Sequence, residues 1–278
     1  MMLRAIQIAL FFACLLLTRA GWAEVEIKRD VVYGHKDGMA LVYDVLQPEN
    51  ANGAAIAFMM SGGWFSRWSP PERLAERFAD MLDAGFTVIP VYHGSAPRYK
   101  VPEAYADVSR AIRHIKLNAG AHGIDPERIG VTGGSAGGHL SLMIGLDADS
   151  GDPEANDPVM RGGNRVATVV AYFPPVDLRP ITGPTDRFPA LDFDTELSAS
   201  ISPILHVDPA DPSTLLIHGD ADDLVPISQS EDIFAVLQKH GVKSDFITIP
   251  SGQHGFRGQN AVKANRIRLE WFQKYLQN

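Results

Sequence analysis

Ser135 lies in "VTGGSAGGHL" (residues 131–140), with Gly133 and Gly137 two positions to either side. A serine hydroxyl is a poor nucleophile unless a base takes its proton and an acid orients that base. Two later stretches offer such partners. "HGDADDLVP" carries Asp222, and "PSGQHGF" carries His254 in a glycine-flanked loop. The chemistry of such a set is acyl transfer: attack on a carbonyl, a covalent acyl intermediate, and its hydrolysis. The oxyanion formed on the way needs N–H donors. Ala136 offers one beside the serine. "MMSGGWFSRW" (residues 59–68) offers another from Gly62, Gly63 or Trp64, and Trp64 could also wall an acyl pocket.

The acid has rivals. Asp220 and Asp223 flank Asp222, which is favoured because Asp223 is better placed to help start the helix that follows. Asp177, in "PPVDL", is a further alternative. His218, His139 and His240 read as structural: the first ends a strand, the second lies within a helix, the third closes one.

These residues need a scaffold that brings them to one edge. Eight β-rich runs stand out, at Val25–Tyr33, Met39–Leu46, Ala54–Met60, Phe86–Tyr92, Arg128–Thr132, Val166–Tyr172, Thr214–His218 and Asp245–Ile249. Helical patterns fill most gaps from the third run onward: Pro71–Ala84, Pro102–Asn118, Ser135–Leu146, Ile227–His240 and Asn260–Leu276. Strands alternating with helices imply a mostly parallel sheet covered on both faces. The first two runs, joined through His35–Lys36–Asp37–Gly38, read as an antiparallel edge hairpin. Ser135 then falls at a strand-to-helix turn, where side chains at positions 133 and 137 would clash. Asp222 and His254 follow the seventh and eighth runs, on the same carboxyl edge. Residues 173–212 form the longest piece without regular structure, suited to a lid or substrate wall.

Bulk properties narrow the class. The chain has 278 residues, a net charge of −8 and no Lys/Arg-rich run, so nucleic acid is not an expected partner. Arg4 and the apolar Ile6–Leu17 stretch, with small residues up to Ala23, read as a signal peptide over residues 1–23 and a single domain over 24–278. Cleavage there would remove Cys14, the only cysteine, and place the mature protein outside the cytoplasm, secreted or periplasmic. The His218–Asp223 cluster lacks a second His-rich motif to complete a metal site, and the carboxylate-rich "LDADSGDPEANDP" lacks calcium-loop spacing. No cofactor or metal is expected.

Together, "HGDADDLVP", "GGSAGGHLS", "SGGW" and "GQHGF" resemble the α/β-hydrolase esterase and lipase superfamily. The similarity is strongest to the bifunctional feruloyl and acetyl xylan esterase-like group, and the block "VPEAYADVSRAIRHIKLNAGAHGIDPERIGVTGGSAGG" is its most specific part. The resemblance implies an α/β-hydrolase fold, an eight-stranded mostly parallel sheet with a small lid region. It implies Ser135 as nucleophile, Asp222 as acid, His254 as base, and Trp64 (or Gly63) and Ala136 as oxyanion donors. Many members carry His-Gly-Gly-Gly-Trp where this chain has Met60-Ser61-Gly62-Gly63-Trp64, so the bracing of that loop is open. The expected activity is hydrolysis of short-acyl or carbohydrate-linked esters. A peptidase or amidase of the same fold, and a silent binding module, are the alternatives.

Overall fold

The central strands are apolar on both faces, and that decides the architecture. A computed structural model of the chain describes residues 25–277; the leader expected over residues 1–23 lies outside the described residues. The strands are β1 (Val25–Lys36), β2 (Met39–Pro48), β3 (Ala55–Met59), β4 (Thr87–Val91), β5 (Ile129–Gly134), β6 (Thr168–Tyr172), β7 (Ser213–Gly219) and β8 (Ser244–Ile249). Every residue of β3, β4 and β6 is buried. Such runs suit parallel strands covered above and below, rather than a sheet with one wet face.

The eight strands form one sheet in the order β1-β2-β4-β3-β5-β6-β7-β8. β1 and β2 form the expected hairpin, turned at Asp37 and Gly38, which both take positive φ. β2 runs antiparallel to β4, and the remaining neighbours are parallel.

The helices are α1 (Pro71–Arg77), α2 (Ala79–Asp83), α3 (Val101–Leu117), α4 (Ala136–Leu146), α5 (Ser228–Lys239) and α6 (Gly258–Leu276). They divide between the faces by the two-residue period of the strands. Ala55, Ala57 and Met59 of β3 join the core formed with α3, α4 and α5, whereas Ile56 and Phe58 join the core of α1, α2 and α6. Among the described residues no helix is long and apolar enough to cross a membrane.

Two expectations need revision. The single helix anticipated over Pro71–Ala84 is two, broken at Phe78, whose φ of −106° and ψ of 17° leave the helical region. Its buried ring packs 4.8 Å from that of Phe58, so tertiary packing overrides the helical period. Residues 173–212, expected to lack regular structure, hold some. They form four short 3₁₀ turns, at Pro189–Leu191, Thr195–Leu197, Ala199–Ile201 and Pro203–Leu205, and they bury Val176, Leu178, Leu191 and Ile201.

At the carboxyl edge, the end of β7 and the loop after β8 touch backbone to backbone. A Cβ on Gly219 would lie 2.1 Å from the Gly252 carbonyl oxygen. Both glycines precede the acid and the histidine by two or three residues, so this contact fixes the spacing of the two loops. Gly219→Ala is expected to destabilise the protein by about 2–3 kcal/mol, visible as a lowered midpoint in denaturant unfolding.

Candidate active site

The turn between β5 and α4 is built as the glycine spacing requires. Ser135 takes φ 55° and ψ −121°, a backbone conformation that L residues rarely adopt. A Cβ on Gly133 would sit 2.5 Å from the Gly137 backbone, and one on Gly137 would sit 2.7 Å from the Met59 carbonyl oxygen. Gly138 has its own reason: a Cβ there would come within 2.9 Å of the Tyr172 carbonyl oxygen. The Ser135 N–H donates to that same carbonyl at 2.9 Å, tying the turn to β6. Ala136 is the first residue of α4, so its N–H has no partner within the helix.

Asp222 and His254 meet. His254 Nδ1 lies 2.8 Å from Asp222 Oδ2, and the Asp222 side chain is fully buried. An ionised carboxylate only accepts, so Nδ1 carries the proton and Nε2 is left free as an acceptor. The N–H groups of Leu224 and Val225 each donate to Asp222 Oδ1 at 2.9 Å. Burial alone would raise the Asp222 carboxyl, but the bonds from Val225, His254 and Leu224 outweigh it and hold the group below its ordinary value.

The rival acids are engaged elsewhere. Asp177 forms a bidentate pair with Arg179, and Asp220 accepts from the Ser251 N–H. Asp223 does not start the next helix as anticipated: α5 begins at Ser228, with Ile227 at the N-cap and no side-chain cap. The polar chain groups of Asp222, rather than those of Asp223, organise the turn that leads there.

The loop after β3 keeps its shape without the histidine of the more common motif. His93, just beyond β4, donates from Nδ1 to the Gly94 carbonyl and accepts the Ser61 hydroxyl at Nε2, 2.9 Å away. Ser66 bonds the Met60 carbonyl, and the Ala96 N–H bonds the Trp64 carbonyl. Gly62 and Phe65 exchange both backbone bonds at 3.0 Å. Gly63 and Trp64 therefore turn through positive φ, 58° and 59°, and their N–H groups have no partner among the described residues. Both line one cleft with Ser135, about 340 Å³ in volume and walled by Pro175, Ile181, Phe188 and Leu191 from the irregular segment.

Two more histidines act as props. His139 Nε2 donates to the Ile201 carbonyl at 2.8 Å, which leaves Nδ1 to accept the Trp64 indole N–H at 3.3 Å. His218 donates from Nε2 to the Val225 carbonyl, accepts the Ser230 hydroxyl at Nδ1, and lies 3.4 Å from Asp222 Oδ2. In the sequence both read as structural, with nothing to show what they support, and His93 is not among the residues that stand out. The pattern "VYHGSAP" after a strand offered a signal for His93; nothing local offered one for its bond to Ser61. Among the described residues no cluster of three or more His, Cys, Asp or Glu is arranged to hold a metal ion.

Comparison with known proteins gives the chain a family and a fold. The BD-FAE family model matches residues 43–237. A truncated carbohydrate esterase from gut microbiota superposes with a TM-score of 0.76 at 31% identity, over 91% of this chain and 97% of that one. An acetyl ester-xyloside bifunctional hydrolase from Caldicellulosiruptor lactoaceticus gives 0.72 at 26% identity, over 86% and 90%. Esterase LipQ of Mycobacterium tuberculosis is 27% identical over 257 residues, 86% of this chain but 59% of its own length. The chain thus spans less than two thirds of the curated relatives that it matches first.

The buried histidines predict an acid-sensitive fold. Burial lowers His93, His218 and His139, the last to about 4. A folded-state value below the unfolded one means that the unfolded chain binds the proton first, so stability is full above about 6.5 and is lost as pH falls toward 4. For His139 the gap between 6.5 and about 4 is worth about 3 kcal/mol. His139→Gln is expected to be less stable at neutral pH and to lose stability less steeply from pH 6.5 to 4, as followed by Tm against pH.

Proposed function

This chain belongs to the BD-FAE family, with the α/β-hydrolase fold, and from that membership we propose that it is a serine carboxylic-ester hydrolase. The observation that carries the reading is the Asp222–His254 bond, which leaves His254 Nε2 unprotonated at the edge that also holds the strained Ser135 turn.

In the proposed reaction His254 Nε2 takes the Ser135 proton as Oγ attacks the ester carbonyl carbon. The oxyanion is held by the N–H groups of Ala136 and of Trp64 or Gly63. As the tetrahedral intermediate collapses, the carbon–oxygen bond to the alcohol breaks and His254 gives its proton to the leaving oxygen. Water, activated by the same imidazole, then attacks the acyl-enzyme, releasing the acid and restoring Ser135. Asp222 keeps the imidazole in the productive tautomer and balances its charge.

The cleft walled by Ile181, Phe188 and Leu191 is apolar and suits an acyl chain, and the segment beside it folds as short 3₁₀ turns with no long lid helix, which favours a short acyl group. The names of the carbohydrate esterase and of the acetyl ester-xyloside hydrolase support an acyl group carried on a sugar. Residues 1–23 are proposed to direct export, which would put the enzyme where polysaccharide esters occur.

Ser135→Ala is expected to lower turnover of an acetyl ester by about 10⁴-fold or more, and Asp222→Asn by about 10⁴-fold, with the fold intact. Labelling by a fluorophosphonate should be complete in the wild type and absent in Ser135→Ala. Across a series of 4-nitrophenyl esters, kcat/KM should peak at two to four acyl carbons; a steady rise to long chains would contradict the proposed pocket.

A further inference from the structure

The side of the site facing His254 differs in charge from the rest of the molecule. His254 lines a cleft of about 550 Å³ with Arg67 and Arg77. An adjoining cleft of about 350 Å³ shares Arg77 and adds Arg257, Arg268 and Asn265. The two also share Gly134, which precedes Ser135. No Asp or Glu lines either one, although the chain carries a net charge of −8.

These arginines are under-neutralised. Arg268, 4% exposed, bonds Asp80 through one terminal nitrogen at 2.8 Å, and its buried Nε has no partner. Among the described residues Arg67, Arg77 and Arg257 form no ion pair. The Arg77 guanidinium instead stacks 5.0 Å from the Phe58 ring and 5.3 Å from that of Phe78. Crowding by protein and then the charge of Arg268 both push it below its ordinary value, the mark of a second cation held close to the first. Guanidinium groups that line two clefts with no carboxylate on either lining, with Arg268 alone paired and through one nitrogen, favour an anion that accepts in a planar, bidentate manner. Tyr172, Phe173 and Phe256 form one aromatic wall, with ring centroids 5.2–6.2 Å apart, suited to a flat ring.

Which half of an ester would lie there follows from the proton transfer. His254 must hand its proton to the leaving oxygen, so the alcohol departs past His254, into the arginine-lined side. The apolar cleft lined by Ser135 and Trp64 is left for the acyl group. The geometry points to an alcohol-side subsite, formed by Arg77, Arg257 and Arg268, for a ring-borne carboxylate on the alcohol half of the substrate. This inference rests on the ester-hydrolase reading above and adds the charge of the substrate.

The test compares acetyl esters that differ only in that charge: 4-acetoxybenzoate against 4-acetoxybenzamide, and monoacetylated glucuronate against monoacetylated glucuronamide. Each rate is normalised to the compound's own alkaline hydrolysis. The carboxylate member is expected to have a kcat/KM about tenfold higher at low salt. The ratio should fall toward one in Arg77→Gln and in Arg257→Gln, both at exposed positions, and at high salt. Preference in the aromatic pair, the sugar pair or both identifies the ring the subsite takes. Equal or better turnover of the amides in both pairs overturns the inference, as does a preference that persists undiminished in both variants. If no ester is turned over and Ser135 resists fluorophosphonate, the ester-hydrolase reading falls and the subsite with it. Turnover of the amides alone would leave that reading standing.

Discussion

The structure depends on the close passage of β5, α4 and β3 around Ser135. Backbone lies 2.5–2.7 Å from where Cβ atoms at residues 133 and 137 would be, so no side chain fits at either place. This crowding forces Ser135 to a φ of 55°, a strain that survives because neighbours over-determine it: the Ser135 N–H is tied to β6 and Gly137 abuts the last carbonyl of β3. The loop carrying Gly63 and Trp64 begins where β3 ends. Ser135 and the N–H groups of Gly63 and Trp64 are therefore positioned by one packing event.

Around that point the histidines divide by environment. His93, His139 and His218 are buried, with values lowered by desolvation, and both ring nitrogens of each have a partner. They are neutral hydrogen-bonding struts against Ser61, Trp64 and Asp222. His254 is the exception: its side chain is 18% exposed and only Nδ1 is engaged.

The clefts on either side of Ser135 follow from different parts of the chain. The apolar one is built from the irregular segment after β6, whose apolar residues continue the core of α3, α4 and α5. The cationic one is built from α1, α6 and the loop between β8 and α6, so its arginines stand on the opposite face of the sheet. A sheet covered on both faces thus gives its edge two unlike flanks, one apolar and one cationic.

Much was legible in the sequence where the physics is local. The buried runs of β3, β4 and β6 and the helical periods gave the strand and helix order, because periodicity follows from burial on one or two faces. The spacing of Gly133, Ser135 and Gly137 revealed the tight turn, because its steric demand falls on positions two residues away. Phe78 broke a helix that periodicity had drawn as continuous, since the reason is a ring from β3. Asp222 is favoured among three neighbouring aspartates by sequence, but its bond to His254 is a contact between two loops of the folded chain. The support of Ser61 by His93 joins residues 32 positions apart, and the gathering of Arg77 with Arg257 and Arg268 joins residues 180 and 191 positions apart in the chain. The sequence by itself determined the elements, their order and the residues able to do chemistry, because these depend on near neighbours. Tertiary structure alone decided which of those residues touch, which histidines stay neutral and where unbalanced charge collects, because distance and desolvation exist only once the chain has folded.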